Sequence, residues 1–369
     1  MTKRTAASVI IFERVTPLKA SALTMLATLL IGCQSTASTG TVSDTNESQE
    51  PLSLLSSSAH LSQDVYRLQW ASAKRFEQQS SLLADSFNQY CRNDNKSLDD
   101  VKHQWSATMQ AWMALQGQQR GPQSALDLSW NIQFWPDKKN TTGRKMQALA
   151  KHSSDLTAQD VLKESVTVQG LGAIEWLLYD SKSPLLSDKP SGCQLGEPIS
   201  QALQYHGQQV SQAWQTNPWT ELDEKHWRSE YVSLLSNQIE YSMQKLSRPL
   251  AKIGQPRAYF SESWRSGTSL ANLGSNVDAM DKIYHQGGLD SLLRERGRTD
   301  LADSLSRNFT HLKHEWPRDG NMFQTIGTKA GYQQALMLLN QLELLDILIR
   351  DDVALELGIV VGFNATDGD

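Results

Sequence analysis

The sequence predicts an all-α protein made of two helical-bundle domains. Apolar residues recur at intervals of three and four along most of the chain. No stretch of useful length alternates between apolar and polar residues, as a half-buried β-strand would. The segments between the periodic stretches are mostly short. Together these features favour antiparallel helices that each bury one face.

The first bundle is expected over residues 59–217. One apolar stripe at helical spacing runs from Leu61 to Tyr90, and a second runs from Val101 to Leu115. Each stripe predicts an amphipathic helix. Ser97 is a suitable N-cap for the second helix, because acidic residues follow it in the first turn.

The rest of this bundle is less regular. A short helix is expected over Gly143 to Lys151, and Thr157 resembles the capped start of another. Residues 181–196 contain two prolines and two glycines, which indicates a loop. A helix is then expected from Pro198 to Trp214, with the proline in its first turn.

The second bundle is expected over residues 218–369, with a domain boundary near Asn217 and Pro218. The last helix has a second apolar face that includes Leu336 and Leu344, which predicts a position at the centre of the bundle. Four apolar stripes mark the helices of this bundle: Trp227–Leu250, Leu270–Tyr284, Leu301–Leu312 and Ala335–Ile349.

Residues 1–32 are typical of a bacterial export signal. A positively charged start precedes an apolar run from Ala20 to Ile31, which is too short to span a bilayer as a helix. The run ends in a lipobox-like Leu-Ile-Gly-Cys, which predicts that Cys33 carries lipid and becomes the mature N-terminus. The alternative is an ordinary signal peptide that happens to contain a cysteine. Because Gln34 follows Cys33 instead of Asp, we expect an outer-membrane lipoprotein of the cell envelope, facing the periplasm or the cell surface.

Residues 33–58 are rich in Ser and Thr and are expected to form a flexible tether between the lipid and the helical domains. Removal of residues 1–32, with four basic residues and one acidic residue, changes the formal net charge from −5 to −8. An acidic chain without a basic stripe is a poor nucleic-acid binder. The expected partners are therefore the membrane, through Cys33, and a small ligand or an envelope protein.

Two cysteines remain after Cys33, namely Cys91 and Cys193. An oxidising compartment favours a disulfide between them. Two separate buried thiols are the alternative.

The familiar motifs of catalysis are missing from the sequence: there is no Gly-rich phosphate loop, no Cys-x-x-Cys pair and no Gly-x-Ser-x-Gly elbow. His311 and His314 would share one face of a helix and offer two metal ligands. They also lie near the end of that helix, where exposed histidines interact favourably with the helix dipole. We favour the second interpretation, because no third ligand can be named.

Glu175 lies in the apolar run from Val168 to Tyr179. An ionised carboxylate there is costly unless it is paired or hydrogen-bonded. Gly170 and Gly172 allow close backbone approach nearby, so Glu175 is a candidate binding residue. A structural Glu bonded to neighbouring backbone amides is an equally acceptable interpretation.

Several blocks occur together in order along residues 60–369. In these blocks the chain resembles the imelysin-like family, whose signature Gly-x-His-x-x-Glu corresponds to Gly170, Gly172 and Glu175. The resemblance implies two helical bundles with the signature at the cleft between them. The other similar blocks are Phe134–Asn140 with Arg144, Glu262–Gly267, Gly358–Asp369 and the cysteine pair Cys91 and Cys193.

Members of the family include proteins once classed as metallopeptidases and proteins tied to iron uptake. In this chain the signature histidine is Gly172, which can neither ligate a metal nor move a proton. The resemblance therefore suggests a binding lipoprotein more strongly than an enzyme. Iron or another divalent metal is the suggested cofactor or ligand, with Glu175 as the best candidate to contact it.

A cleft lined by Glu175, Trp135 and Trp176 would suit a small polar or metal-complexed ligand. A metallopeptidase and a non-catalytic interaction protein of the envelope are the competing hypotheses. Further binding candidates are the polar residues of the family blocks: Asp137, Arg144, Glu262, Ser263, Ser266, Asn364 and Asp367.

Overall fold

The structure is a computed structural model that describes residues 59–152 and 155–359. Every regular element in these two ranges is a helix, apart from one isolated antiparallel bridge between Lys252 and Gln255. The predicted all-α fold class is confirmed. The α-helices of the described residues are α1 Gln63–Arg92, α2 Leu98–Met113, α3 Gln123–Leu126, α4 Ser129–Ile132, α5 Thr141–Leu149, α6 Ala158–Val161, α7 Gly170–Tyr179, α8 Lys189–Ala213, α9 Glu224–Leu250, α10 Ser269–Gln286, α11 Leu289–Glu295, α12 Thr299–Glu315, α13 Met322–Thr325, α14 Lys329–Ile347 and α15 Ala354–Leu357.

Short stretches of tighter or wider helix complete the architecture. The 3₁₀ turns are Val166–Val168, Pro184–Leu186 and Ala258–Phe260, and a π-helical segment, Leu348–Val353, joins α14 to α15. No helix in the part of the chain that the structure describes combines the length and the apolar character that a membrane span requires.

Helices α1, α2 and α8 form the body of the first group, with α7 packed against α2 and α8. Phe76 and Phe87 of α1 and Trp105 of α2 are almost completely buried between them. A disulfide joins Cys91 near the end of α1 to Cys193 near the start of α8. The predicted disulfide is confirmed, and it fixes the relative position of two long helices.

Helices α9 and α14 lie side by side in the second group, and α10 and α12 pack against them. Helix α10 also contacts α1 and α2, so one continuous core of buried apolar side chains runs through both groups. The described residues all belong to one compact unit. The domain boundary near Asn217 and Pro218 stays a prediction.

Two local sequence signals for helix starts are confirmed. Ser97 and Thr157 each form a capping box with the Asp three residues later. The expected loop over residues 181–196 is wrong, because α8 already begins at Lys189. Pro190 lies in the first turn, where its missing N–H costs nothing, and Pro198 lies inside the helix. Packing of this segment against α1 outweighs the unfavourable position of Pro198 inside the helix.

The expectation that α14 lies at the centre of its bundle is also wrong. Its buried face includes Leu338, Leu342 and Leu345, which point towards α9 and α12. Leu336 and Leu344 on the other face are 38% and 45% exposed. Among the described residues, neighbouring helices cover only one side of α14, although its sequence is apolar on both.

Candidate functional site

The start of α7 is held by an unusually close backbone contact. Gly170 has a φ of +64°, and a Cβ atom there would lie 2.2 Å from the carbonyl oxygen of Ile132. Only glycine accommodates both conditions. Gly170 therefore positions α7, and with it Glu175, against the end of α4.

Glu175 is 5% exposed, and its carboxylate accepts two hydrogen bonds from Ser266. The backbone N–H and the hydroxyl of Ser266 both donate to Oε1, at 2.9 Å each. Burial raises the pKa of Glu175, and these two bonds and the charge of Arg265 oppose that rise only in part. The carboxyl group is therefore able to keep its proton at a higher pH than an exposed Glu would.

Glu175 lines a cavity of about 40 Å³. The wall comes from four places in the chain: α2, residues 133–142, α7 and residues 259–265. It combines the carboxylates of Glu175 and Asp137 with aromatic rings that include Trp135 and Trp264. A space of this size holds a few water-sized groups, not a whole drug-sized molecule.

Gly172 also lines the cavity, at the position of the signature histidine. A Cβ atom added to Gly172 would meet no atom within 4 Å. The glycine therefore leaves open the space that a side chain would occupy, one turn of helix from Glu175.

Arg265 is the cation of the cavity wall, and its charge is already neutralised. Its Nε donates to Asp180 at 2.9 Å, and its guanidinium also donates to Asn140 at 2.6 Å. The guanidinium lies 4.2 Å from the centre of the Trp264 ring. Arg265 thus ties the segment after α9 to the end of α7 and orients the aromatic wall.

A buried ion pair between Lys245 of α9 and Glu262 lies behind this wall. Gln133, which lines the cavity, donates to Glu262 Oε1 at 2.7 Å, and Gln116 accepts a hydrogen bond from Lys245. Glu262 Oε2 is buried and has no hydrogen-bond partner among the described residues. Burial lowers the pKa of Lys245 to about 8, although the charge of Glu262 opposes this shift.

The structure brings several of the predicted site residues to one place. Trp135, Asp137, Gly172, Glu175 and Ser263 line the same cavity. Ser266 contacts Glu175 directly, and Glu262 contacts the wall through Gln133. These contacts connect family blocks that are far apart in the sequence.

Other candidates have structural roles or lie elsewhere. The carboxylate of Asp137 accepts hydrogen bonds from the backbone N–H groups of Thr141 and Thr142, so it also caps α5. Arg144 is exposed and does not line the cavity. Trp176 is completely buried and does not line the cavity, because adjacent residues of a helix face different directions. Cys33, Asn364 and Asp367 lie outside the described residues.

Sequence reasoning missed Lys245, Gln133 and Arg265. Lys245 had a detectable signal, because Gln238, Ser242 and Lys245 fall on the buried face of α9 at helical spacing. Arg265 belongs to a family block and Gln133 directly precedes one, but nothing in their local sequence indicated a partner.

The described residues do not fit a resident metal ion. They contain no group of three or more His, Cys, Asp or Glu placed to hold one, and no histidine lines the cavity. His311 and His314 are exposed near the end of α12, and His314 forms a hydrogen bond to Glu315. A metallopeptidase would therefore need ligands other than those at this cavity.

Comparison with known proteins places the chain in a family. A family model described as imelysin matches residues 70–348, which is more than half of the chain. No curated protein gives a significant match.

Two solved structures share the fold. An imelysin-like protein from Psychrobacter arcticum aligns with a TM-score of 0.70 at 22% identity, covering 82% of this chain and 96% of that one. An iron-regulated protein A precursor from Parabacteroides distasonis aligns with a TM-score of 0.60 at 14% identity, covering 78% and 94%. The extent of the family match decides the assignment, and this chain belongs to the imelysin family.

Proposed function

We propose that this protein is a cell-envelope lipoprotein that binds a small ligand at the Glu175 cavity without converting it. The observation that carries the proposal is the buried carboxyl group of Glu175, which lines a cavity and is held there by Ser266. No histidine or other base contacts Glu175 within the described ranges to complete a catalytic pair. A buried carboxyl group without such a partner is better suited to recognition.

The dimensions and the wall of the cavity suggest what the ligand presents. A space of about 40 Å³ admits one cationic or hydrogen-bonding group, and the rings of Trp264 and Tyr259 are available to the rest of the ligand. Only Glu175 and Asp137 offer carboxylates, and Asp137 is engaged in capping α5. We therefore propose that a metal would arrive as a small complex with its own ligands, not as a bare ion.

Iron is the metal we propose. One structural neighbour is described as an iron-regulated protein A precursor, and Fe(III) prefers oxygen ligands such as those at this cavity. The proposed role is capture of a small iron complex in the cell envelope.

Calorimetry tests this function on a soluble form that starts after Cys33. The titrants are ferric citrate, Fe(II) and Zn(II), and the variant is Glu175→Gln. We expect saturable binding of ferric citrate that Glu175→Gln weakens at least about tenfold, which corresponds to about 1.4 kcal/mol. The control is Glu343→Gln, which changes an exposed carboxylate on α14 and should leave binding unchanged. Equal affinities of wild type and Glu175→Gln for ferric citrate, or no saturable binding of ferric citrate by folded protein, would contradict the proposal.

The lipid anchor and the location need a separate test. We propose that Cys33 carries the lipid and that the protein is sorted to the outer membrane. Labelled palmitate should be incorporated into the wild type but not into Cys33→Ser, and the labelled protein should sediment with outer-membrane fractions. Label in the Cys33→Ser protein would contradict lipidation at this residue.

The exposed apolar face of α14 favours a second candidate function, that of an interaction protein of the envelope. Leu336, Leu344 and Ile347 are all more than one-third exposed on this face. A photo-crosslinking residue at Leu344 should then capture one discrete envelope protein in cells. The same probe at exposed Glu295 of α11 is the control. Identical crosslinking patterns at both positions would contradict this function.

A further inference from the structure

A second cavity of about 340 Å³ adjoins the Glu175 cavity and shares Gln133 and Trp135 with it. Its wall is formed by the end of α2, the loop that follows it, α3, α4 and Tyr241 of α9. Five of its twelve lining residues are glutamines and four are Trp or Tyr, and none carries a charge. This composition differs from that of the Glu175 cavity and calls for a different ligand.

The inner wall is fixed by the buried ion pair of Lys245 and Glu262. Gln116 donates one hydrogen bond to Gln133 and accepts another from Lys245. Gln133 in turn donates to Glu262. Because both amides are held by buried charges, they cannot rotate freely and present a constant surface to the cavity.

The outer wall has polar groups with unused hydrogen-bonding capacity. Gln118 donates to the carbonyl oxygen of Ala114 at 3.0 Å, which leaves its own amide oxygen to accept. Gln119 is exposed and lines the cavity, so its amide is accessible to a ligand. The indole N–H of Trp112 is buried and has no hydrogen-bond partner in the described part of the chain. An unsatisfied buried donor is costly, so this group gains from a ligand that accepts a hydrogen bond.

Aromatic rings provide the remaining surface. Trp130 is 53% exposed at the rim, and its ring centre lies 5.5 Å from that of Phe134. Trp135 and Tyr241 meet edge to face deeper inside, with ring centres 5.6 Å apart. An exposed Trp supported by a second ring is a rigid flat platform.

We propose that this cavity binds a neutral saccharide of one or two sugar units. A pyranose ring presents C–H groups on its faces, which pack against aromatic rings, and hydroxyls around its rim, which both donate to and accept from amides. A purely apolar ligand would leave the glutamine amides unpaired, and a charged ligand would find no opposite charge on the wall. The volume lies at the lower end of the range for small-molecule sites.

The full-length mature protein, purified in a sugar-free detergent so that no head group competes, provides the test. The probes are glucose, N-acetylglucosamine and their β-1,4-linked disaccharides, with tryptophan fluorescence and saturation-transfer NMR as readouts. We expect saturable binding of at least one probe. Trp130→Ala should weaken it about tenfold, equivalent to about 1.4 kcal/mol, and Gln119→Ala about threefold or more, as for one lost hydrogen bond.

Trp70→Ala is the matched control, because Trp70 is a similarly exposed tryptophan on α1 that stacks on Tyr66 away from the cavity. It should leave the affinity unchanged. Absence of saturable binding of all four probes by folded protein would overturn the proposal. Equal weakening of saccharide binding by Trp130→Ala and Trp70→Ala would also overturn the proposal. Because neither tryptophan contacts Glu175, the result is independent of iron binding at the first cavity.

Discussion

Lys245 and Glu262 form an ion pair that is shielded from water, with side chains 0% and 1% exposed. The pair joins α9 to the segment that carries Ser263 and Ser266. Through Gln133 it also reaches the wall that the two cavities share. This one contact therefore supports both proposed binding sites from behind.

Removal of one partner should be much more harmful than removal of both. We expect Lys245→Met to lower the free energy of unfolding by about 3–5 kcal/mol, because Glu262 would remain buried without a counter-charge. The double variant Lys245→Met with Glu262→Gln should recover a large part of that loss. Urea denaturation of the wild type, both single variants and the double variant measures the coupling. Additive effects of the two substitutions would show that the two charges do not interact.

His206 makes stability depend on pH below neutrality. Burial lowers the pKa of His206 to about 4, and its Nε2 bonds to the amide oxygen of Gln169 at 3.0 Å. Between pH 6.5 and 4 the unfolded chain binds a proton at this residue that the folded chain does not. The contribution of His206 to the free energy of unfolding is therefore lost as the pH falls from 6.5 to 4, by up to roughly 3 kcal/mol.

The measurement is urea denaturation at pH 7 and pH 4.5 for the wild type and for His206→Gln. The wild type should lose more stability on acidification than the variant, because glutamine does not titrate. Parallel losses in both proteins would mean that His206 is not the source. Other titrating groups are present in both proteins and cancel in the comparison.

The disulfide between Cys91 and Cys193 closes a loop with a sequence separation of 102 residues. We expect the double variant Cys91→Ser with Cys193→Ser to lose about 2–5 kcal/mol of unfolding free energy. A reducing agent should lower the stability of the wild type by a similar amount and leave that of the double variant unchanged. If the reducing agent lowered the stability of both proteins equally, the disulfide would be excluded as the cause.

The two glycines of the signature should respond to alanine in opposite ways. Gly172→Ala fills open space within α7 and should stabilise the protein by about 0.5–1 kcal/mol, because alanine restricts the unfolded chain. Gly170→Ala combines a left-handed backbone with a clash against the carbonyl oxygen of Ile132, and should cost more than about 2 kcal/mol. Thermal unfolding of both variants measures the difference. A loss of stability in Gly172→Ala would contradict the open space at that position.

Much of the fold follows from local sequence, as α1 and α2 illustrate. The stripes from Leu61 to Tyr90 and from Val101 to Leu115 predicted both helices within a few residues of their observed ends. The helix starts at Ser97 and Thr157 were also predicted, and both have a capping box. These signals can be recognised in the sequence because helix periodicity and capping depend on residues within one or two turns of each other.

The predictions made from sequence were wrong where tertiary packing outweighed the local conformational preference of the residues. Helix α8 continues through Pro198 because it packs along α1, and α14 is apolar on a face that no described residue covers. Neither outcome is visible in a short window of sequence.

The sequence alone predicted the helical class and a disulfide between Cys91 and Cys193, and it identified Glu175 as a carboxyl group within an apolar run. Only the tertiary structure decided what surrounds that carboxyl group. Ser266 is 91 residues from Glu175 in the chain, and Gln133 is 129 residues from Glu262. Such partners meet because separate helices pack their buried faces together, and the polar groups that each helix carries into the interface pair with whichever groups lie opposite.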